Sequence, residues 1–387
     1  MNTMGRREVL KLGSALAAGA TTAPALAGQA AADPDELARL QHAVNFIYDG
    51  AHLSPLEYAH LLNRIASAQP LHADVYSNGG VVEELEQTFA RWLGKESAVF
   101  MPTGTLANHI ALRELAGVQR RVIVQAESHI YNDSGDCAQQ LSGLNLIPLA
   151  PRRVGFTLPE VQDAVRRSRS GRVETGVGVI CIESPVRRMD DALFGYDDMR
   201  RIAAFARQEG IRLHLDGARL FVESVHTGIP PAQYGALFDT VYVSLYKCFN
   251  AASGAILAGT RAFTENLFHV RRMFGSGLPG AWPYAAVALE FVDDFLEQYE
   301  AAWRQAESLF QVLADHPAFR VEPIPNGTHI VPVHVSGTDP ERFRNRLGQR
   351  NIHLPQARWQ GGFWLKVNPS LNRMSAQDVA RAFVAAL

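Results

Sequence analysis

The sequence predicts an α/β domain built around a largely parallel sheet, followed by a smaller α+β domain. Three observations lead there. Short runs rich in β-branched residues alternate with segments of helical spacing through the middle of the chain. One of these runs, RLHLDGA at 212–218, keeps His214 and Asp216 at an otherwise apolar strand end, and strand C-termini are where open α/β sheets place their ligands. From about residue 300 onward, the strand-like runs HIVPVHV (329–335) and GFWLKVN (362–368) alternate with helices starting near Asp339 and Ser375.

Taken in order, residues 33–68 read as a helical, irregular N-terminal arm. AVFM (98–101) is strand-like, and TLANHIALREL after it has helical spacing. RVIVQAE (121–127), GVGVICIE (176–183), RLHLDGA and TVYVSLYK (240–247) are further β-rich runs. YDDMRRIAAFARQEG, before RLHLDGA, is an amphipathic helix closed by Gly210. Residues 282–316 read as a long helix with a kink or break. These elements divide the chain into a large domain at 69–295 and a small one at 296–387.

Composition narrows the class. The formal net charge is −2 and no basic run is interleaved with aromatic residues, which argues against a nucleic-acid partner. No apolar stretch of membrane-spanning length occurs in the body of the chain. Residues 1–27 differ: a charged start with Arg6-Arg7 precedes an Ala/Gly/Leu-rich segment and the small-residue pattern Ala25-Leu26-Ala27. This layout resembles a twin-arginine export signal, with the mature chain starting near Gly28, the export machinery as a partner and the periplasm as destination. Cys137, Cys181 and Cys248 are too widely spaced for a CxxC metal pattern and form no disulfide framework; no metal site is expected. Cys181 and Cys248 read as packing residues.

Only four of the 37 basic residues are lysine, and one of them, Lys247, ends an apolar run and precedes the small residues AASGAILAG. Lysine can do what arginine cannot: lose its proton and form an imine. Upstream lie three further signals. MPTGTLAN (101–108) puts Thr103, Gly104 and Thr105 at a strand-to-helix turn, where free backbone N–H groups suit a phosphate. QAESHIYND (125–133) places His129 after a strand, with a ring face to offer a planar heterocycle. HLDGARLF (214–221) buries Asp216, which needs a cationic partner to stay ionised, and brings Arg219 within reach of the same cavity. Alone, these read equally as an N-cap turn, an incidental histidine and an Asp–Arg pair.

The order of the four signals, and the stretch ADVYSNGGVVEELEQTFARWLGKESAVFMPTGTLAN that begins the region, resemble the fold-type-I pyridoxal-phosphate enzymes. Within them the resemblance is to the threonine aldolase and β-eliminating lyase family. It runs from about Asp74 to about Gly259, more faintly to the end, and implies a mostly parallel seven-stranded-type sheet. It implies that Lys247 holds the cofactor, Asp216 pairs with its pyridinium nitrogen, and His129 stacks on the ring. Thr103, Gly104 and Thr105 would take the phosphate, and Arg219 would lie near the cofactor oxygen and the substrate carboxylate. A homodimer or homotetramer is implied as well.

The substrate side departs from the family pattern. Val186 stands where a histidine is usual, Ser134 where an acid is expected after the stacking histidine, with Asp133 adjoining, and Pro279 where an arginine is usual. The LRSDT-like segment is FIYDGAH, and Lys366 stands in for a late carboxylate-binding arginine. Arg187 and Arg188, after Pro185, are further candidates for a substrate carboxylate. Retained cofactor groups with altered substrate groups imply a lyase acting on a β-hydroxy or β-substituted amino acid other than threonine. An aminotransferase of the same fold and a cofactor-binding protein without catalysis are the alternatives.

Overall fold

The first described strand, β1 (Val44–Asn45), pairs in parallel with β11 (Ile352–His353), so the start of the chain is stitched to its end. The computed structural model describes residues 34–358 and 361–387; the export signal expected at 1–27 lies outside them. A helix at Pro34–Gln41 precedes β1, and a second at Pro55–Ala68 opens with a Ser54–Glu57 capping box, a proline at its start and no interior breaker.

The large sheet has seven strands: β2 (Ser97–Met101), β3 (Arg121–Gln125), β4 (Asn145–Leu149), β5 (Val177–Glu183), β6 (Arg212–Asp216), β7 (Thr240–Ser244) and β8 (Ala255–Gly259). They lie in the order β2-β8-β7-β6-β5-β3-β4. Neighbours from β4 to β7 are parallel, and β8 runs against both β7 and β2. Helices on both faces bury β5, β7 and β8 along their whole length, which is why β5 and β7 read as continuous apolar runs.

The small domain carries the three-stranded antiparallel sheet β12-β10-β9, formed by β9 (Phe319–Val321), β10 (Ile330–Val335) and β12 (Gly362–Lys366). Its core packs Phe319, Phe343, Phe363 and Phe383 together with Val44 and Phe46 from the N-terminal segment. That segment, expected as part of a helical arm, therefore supplies core residues to the C-terminal domain. The larger core joins Phe89, Phe221, Phe249 and Phe295 edge to face, with ring centroids 5.0–6.3 Å apart.

The apolar stretch 282–316 breaks into two helices, Trp282–Val292 and Phe295–Ala314. The break falls at Asp293 and Asp294, and Asp293 accepts a hydrogen bond from Trp92 Nε1 at 3.1 Å. β7 ends at Ser244, so Lys247 sits on a single helical turn, Leu245–Cys248, rather than on the strand. The Leu245 amide still bonds to the Gly254 carbonyl at 3.1 Å, in register with the β7–β8 ladder, before the chain winds into the helical turn. Among the described residues no helix is long and apolar enough to cross a membrane.

Candidate active site

The C-terminal ends of β5, β6 and β7 and the start of the helix Gly104–Ala116 enclose a cavity of about 320 Å³. Thr103, Gly104, Thr105, His129, Arg187, Asp216, Arg219 and Lys247 all line it. Residues far apart in sequence thus converge where the parallel strands end, as the topology dictates.

Asp216, the last residue of β6, is buried. Its Oδ2 accepts a hydrogen bond from Asn108 Nδ2 at 2.6 Å, and Asn108 Oδ1 lies 2.8 Å from His214 Nε2. His214 Nδ1 lies 2.8 Å from the Thr240 hydroxyl. Burial lowers the His214 pKa to about 4, against the pull of Asp216, so the ring is neutral. With the Asn108 amide donating to a carboxylate, its oxygen must accept from His214 Nε2–H, which leaves Nδ1 to accept from Thr240. The chain Thr240–His214–Asn108–Asp216 therefore has one polarity, with Asp216 as its terminal acceptor.

Lys247 lies half-buried at the cavity wall, and burial, then the Arg219 charge, lowers its pKa to about 8. An amine held there loses its proton far more readily than a solvated lysine. Gly50 packs against the carbonyl of Lys247, where a Cβ would collide with it, so the FIYDGAH segment closes over the lysine turn.

The helix Gly104–Ala116 starts with Thr103 as N-cap, whose hydroxyl accepts from the Leu106 amide at 3.2 Å. The preceding amides, of Gly104 and Thr105, open on the cavity wall as an anion site. A Cβ at 104 would overlap the Tyr242 ring, so glycine is required there for packing as much as for a ligand. The Ser253 hydroxyl, bonded to the Pro102 carbonyl at 2.8 Å, borders the same end.

His129 heads a short helical turn, and its amide donates to Glu183 Oε2 at 2.5 Å. Glu183, the buried end of β5, also accepts from the Arg187 amide at 2.9 Å. Burial and then Asp216 raise its pKa to about 8. Ser134, in place of the expected acid, has its hydroxyl 3.2 Å from His129 Nδ1 and donates to the His129 carbonyl at 3.1 Å. Burial keeps the His129 pKa below its ordinary value, although Asp216 opposes this.

Arg219 is buried and sits between Asp49 at 3.0 Å and Asp191 at 3.3 Å. Burial alone would lower its pKa, but the two carboxylates raise it instead. Asp49 also accepts from Lys366 at 2.8 Å and lies 2.9 Å from His329 Nε2. Lys366, expected near a substrate carboxylate, is thus committed to Asp49 and lies off the cavity wall. Arg188 also lies off the wall; it and Arg187 both pair with Asp133, at 3.0 and 3.2 Å. Arg187 does border the cavity, with its side chain half-exposed. Val186 is fully buried and faces neither ligand nor solvent, and Pro279 accepts from the Tyr76 amide at 3.1 Å, away from the cavity. Asp49, Asp191 and His329 come close enough to share a cation, but Arg219 and Lys366 already neutralise them.

Sequence reasoning missed Asn108, Glu183, Tyr242 and Asp49. Asn108 stands inside the MPTGTLAN stretch and Glu183 ends a buried apolar strand, so a polar residue in an apolar run was the available signal. Tyr242 and Asp49 gave none, because their partners lie more than a hundred residues away in sequence.

The β-eliminating lyase family model matches residues 60–336. A low-specificity L-threonine aldolase of Candida albicans is 27% identical over 272 residues, 70% of this chain and 72% of the relative. That of Saccharomyces cerevisiae is 26% identical over 286 residues, 72% of each. Two solved structures share the fold: Leishmania major threonine aldolase (TM-score 0.66, 16% identity, 89% of this chain and 98% of that one) and Sphingomonas wittichii serine palmitoyltransferase (TM-score 0.63, 16% identity, 89% and 86%). With the family match covering more than half its length and the cavity built around a lysine, an aspartate and a helix start, the chain belongs to the pyridoxal-phosphate-dependent β-eliminating lyase family, alongside the threonine aldolases.

Proposed function

We propose that this lyase breaks a bond at the α-carbon or β-carbon of a β-hydroxy or β-substituted amino acid other than threonine. The observation that carries the reading is the convergence of Lys247, Asp216 and the helix start at Gly104 on one cavity. These residues fit pyridoxal phosphate: an amine of lowered pKa for the aldehyde, a buried carboxylate for the ring nitrogen, and open amides for the phosphate. When bound, the cofactor supplies the electron sink for the bond that breaks.

The protein supplies the rest. Lys247 would hold the cofactor, and its amine, which burial helps to deprotonate, is the group placed to carry a proton to or from the substrate. Asp216, held by the Asn108 amide, would pair with the cofactor's ring nitrogen and favour its protonated form. His129, on the cavity wall, would stack on the cofactor ring. With Ser134 donating to the His129 carbonyl, Nδ1–H donates to the serine oxygen and Nε2 is left to accept the β-hydroxyl proton. Arg187, at the wall and half-exposed, binds the substrate carboxylate, while Arg219 holds the cofactor side of the cavity through Asp49 and Asp191.

The test is a panel of β-hydroxy and β-substituted amino acids offered to the holoenzyme. Release of aldehyde and glycine identifies aldol cleavage, and keto acid with ammonia identifies elimination. Neither product from any member, with a cofactor absorbance that never shifts, overturns the reading.

We also propose that the chain is exported by the twin-arginine route and works as a homo-oligomer. Arg6-Arg7 followed by an Ala/Gly/Leu-rich segment supports the first. Replacing both arginines with lysine is expected to retain the protein in the cytoplasm, read by cell fractionation, and light scattering of the holoenzyme reads the second.

A further inference from the structure

A second cavity, of about 750 Å³, meets the first at Tyr246, Lys247 and Ala252. Its walls come from the FIYDGAH segment and the helix Pro55–Ala68: Tyr48, His52, Leu53, Tyr58 and Leu62 face it. Several polar groups along it already have partners. Tyr58 donates its hydroxyl to the Pro283 carbonyl at 3.0 Å, and Asn250 Oδ1 accepts from the His52 amide at 3.2 Å. The Asp49 carboxylate is taken up by Arg219, His329 and Lys366. The His52 ring stacks on Tyr48 with centroids 3.6 Å apart and planes 15° from parallel, presenting a flat aromatic surface. Beyond the Lys247 amine, then, the cavity offers apolar and aromatic wall with no unpaired charge. A methyl side chain would leave most of that space to water, whereas an aromatic ring would remove both surfaces from it.

We propose that this cavity receives the substrate side chain and selects β-hydroxy amino acids bearing a large apolar, aryl-type group over threonine. The inference rests on the lyase reading, because the cavity adjoins the reacting carbons only if Lys247 holds the cofactor. Leu62 and Ala59 on the helix Pro55–Ala68, which line this cavity and not the first, then bear on the preference.

The experiment compares the holoenzyme with Leu62→Asn, which makes the wall polar, and Ala59→Phe, which fills it. The ratio of kcat/KM for β-phenylserine to that for threonine is expected to favour phenylserine in the parent and to fall on the order of 10-fold or more in each variant. In parallel, L-phenylalanine and L-alanine, which cannot be cleaved, are titrated against the absorbance of the bound cofactor. Phenylalanine should bind the parent more tightly than alanine and weaken by about 10-fold in the variants. Cleavage of threonine with a ratio near one, unmoved by either substitution, overturns this inference and leaves the lyase reading standing. No cleavage of any amino acid, with phenylalanine still binding preferentially and the variants weakening it, overturns the lyase reading and supports the cavity. Equal binding of phenylalanine and alanine by all three proteins overturns the cavity's role whatever the products.

Discussion

Asp49 Oδ2 accepts a hydrogen bond from Arg219 Nη2 at 3.0 Å, with both side chains buried and 170 positions apart in the chain. The same carboxylate is bonded by Lys366 and lies against His329, so one anion from the N-terminal segment joins the large domain to the small one. Burial works against its charge, and Arg219 and its neighbours still hold its pKa well below the ordinary range. Removing it strands Arg219 with Asp191 alone. Asp49→Ala is expected to cost about 3–5 kcal/mol in denaturant unfolding, the usual result of breaking a buried ion pair from one side. Lys366→Met, which leaves Asp49 with two partners and a half-buried site, should cost far less.

Lys247→Arg keeps a positive charge but cannot form an imine. Borohydride treatment of the reconstituted parent should fix the cofactor to the peptide containing Lys247, and the variant should show no such adduct. Activity on the best substrate should drop on the order of 10³-fold or more.

The lowered pKa of Lys247 sets a pH dependence with a definite sign. The neutral amine attacks the aldehyde, so the rate of cofactor attachment to the apoprotein should rise with pH and level off above about 8. Because the folded pKa lies below the solvated value of 10.5, the unfolded chain holds more protons between the two, and this group adds stability to the apoprotein as pH rises through that window.

Asn108→Ala removes the donor that fixes Asp216, while Asp216→Asn removes the charge. Both should shift the absorbance of the bound cofactor. Asp216→Asn should lower kcat on the order of 10²–10³-fold, and Asn108→Ala less, because the carboxylate is still present. Equal loss in the two would show that orientation outweighs charge.

Glu223, on the helix Leu220–Thr227, is buried. Burial raises its pKa to about 8 from 4.5, although Ser184 and Tyr234 pull the other way. The folded state therefore holds a proton that the unfolded chain has released between those values, and stability falls as pH rises through the window. Glu223→Gln should flatten the decline in Tm between pH 5 and 8, read by thermal unfolding in matched buffers.

The strands β5 and β7 were legible because they are rich in β-branched residues, buried on both faces and so read as largely apolar runs, whereas β6 was legible from Leu213 and Leu215 beside the polar His214 and Asp216 at its end. β4 was not: it is an edge strand carrying Pro148, a residue that argues against a central strand. β8 was missed because AILAG is short and rich in small residues, and only its ladders with β2 and β7 make it a strand. In the site, Lys247, Asp216, His129, Arg219 and the turn at Gly104 were legible because each is a polar or special residue where a regular element ends. The places of Lys366 and Arg188 were not, since both depend on which carboxylates the fold brings to them, Asp49 and Asp133. The function of Gly104 was half-read: the close approach of Tyr242 is a contact no spacing reveals.

The pairing of Val44 with Ile352 carries a temporal consequence. A ribosome releases the opening segment long before it makes the strand that pairs with it, so the anchoring of Tyr48, Gly50 and His52 over the lysine is completed only near the end of synthesis. A chain cut short before Ile352 would lose that pairing and keep Asp49 on Arg219 and His52 on Asn250 to hold the segment over the lysine.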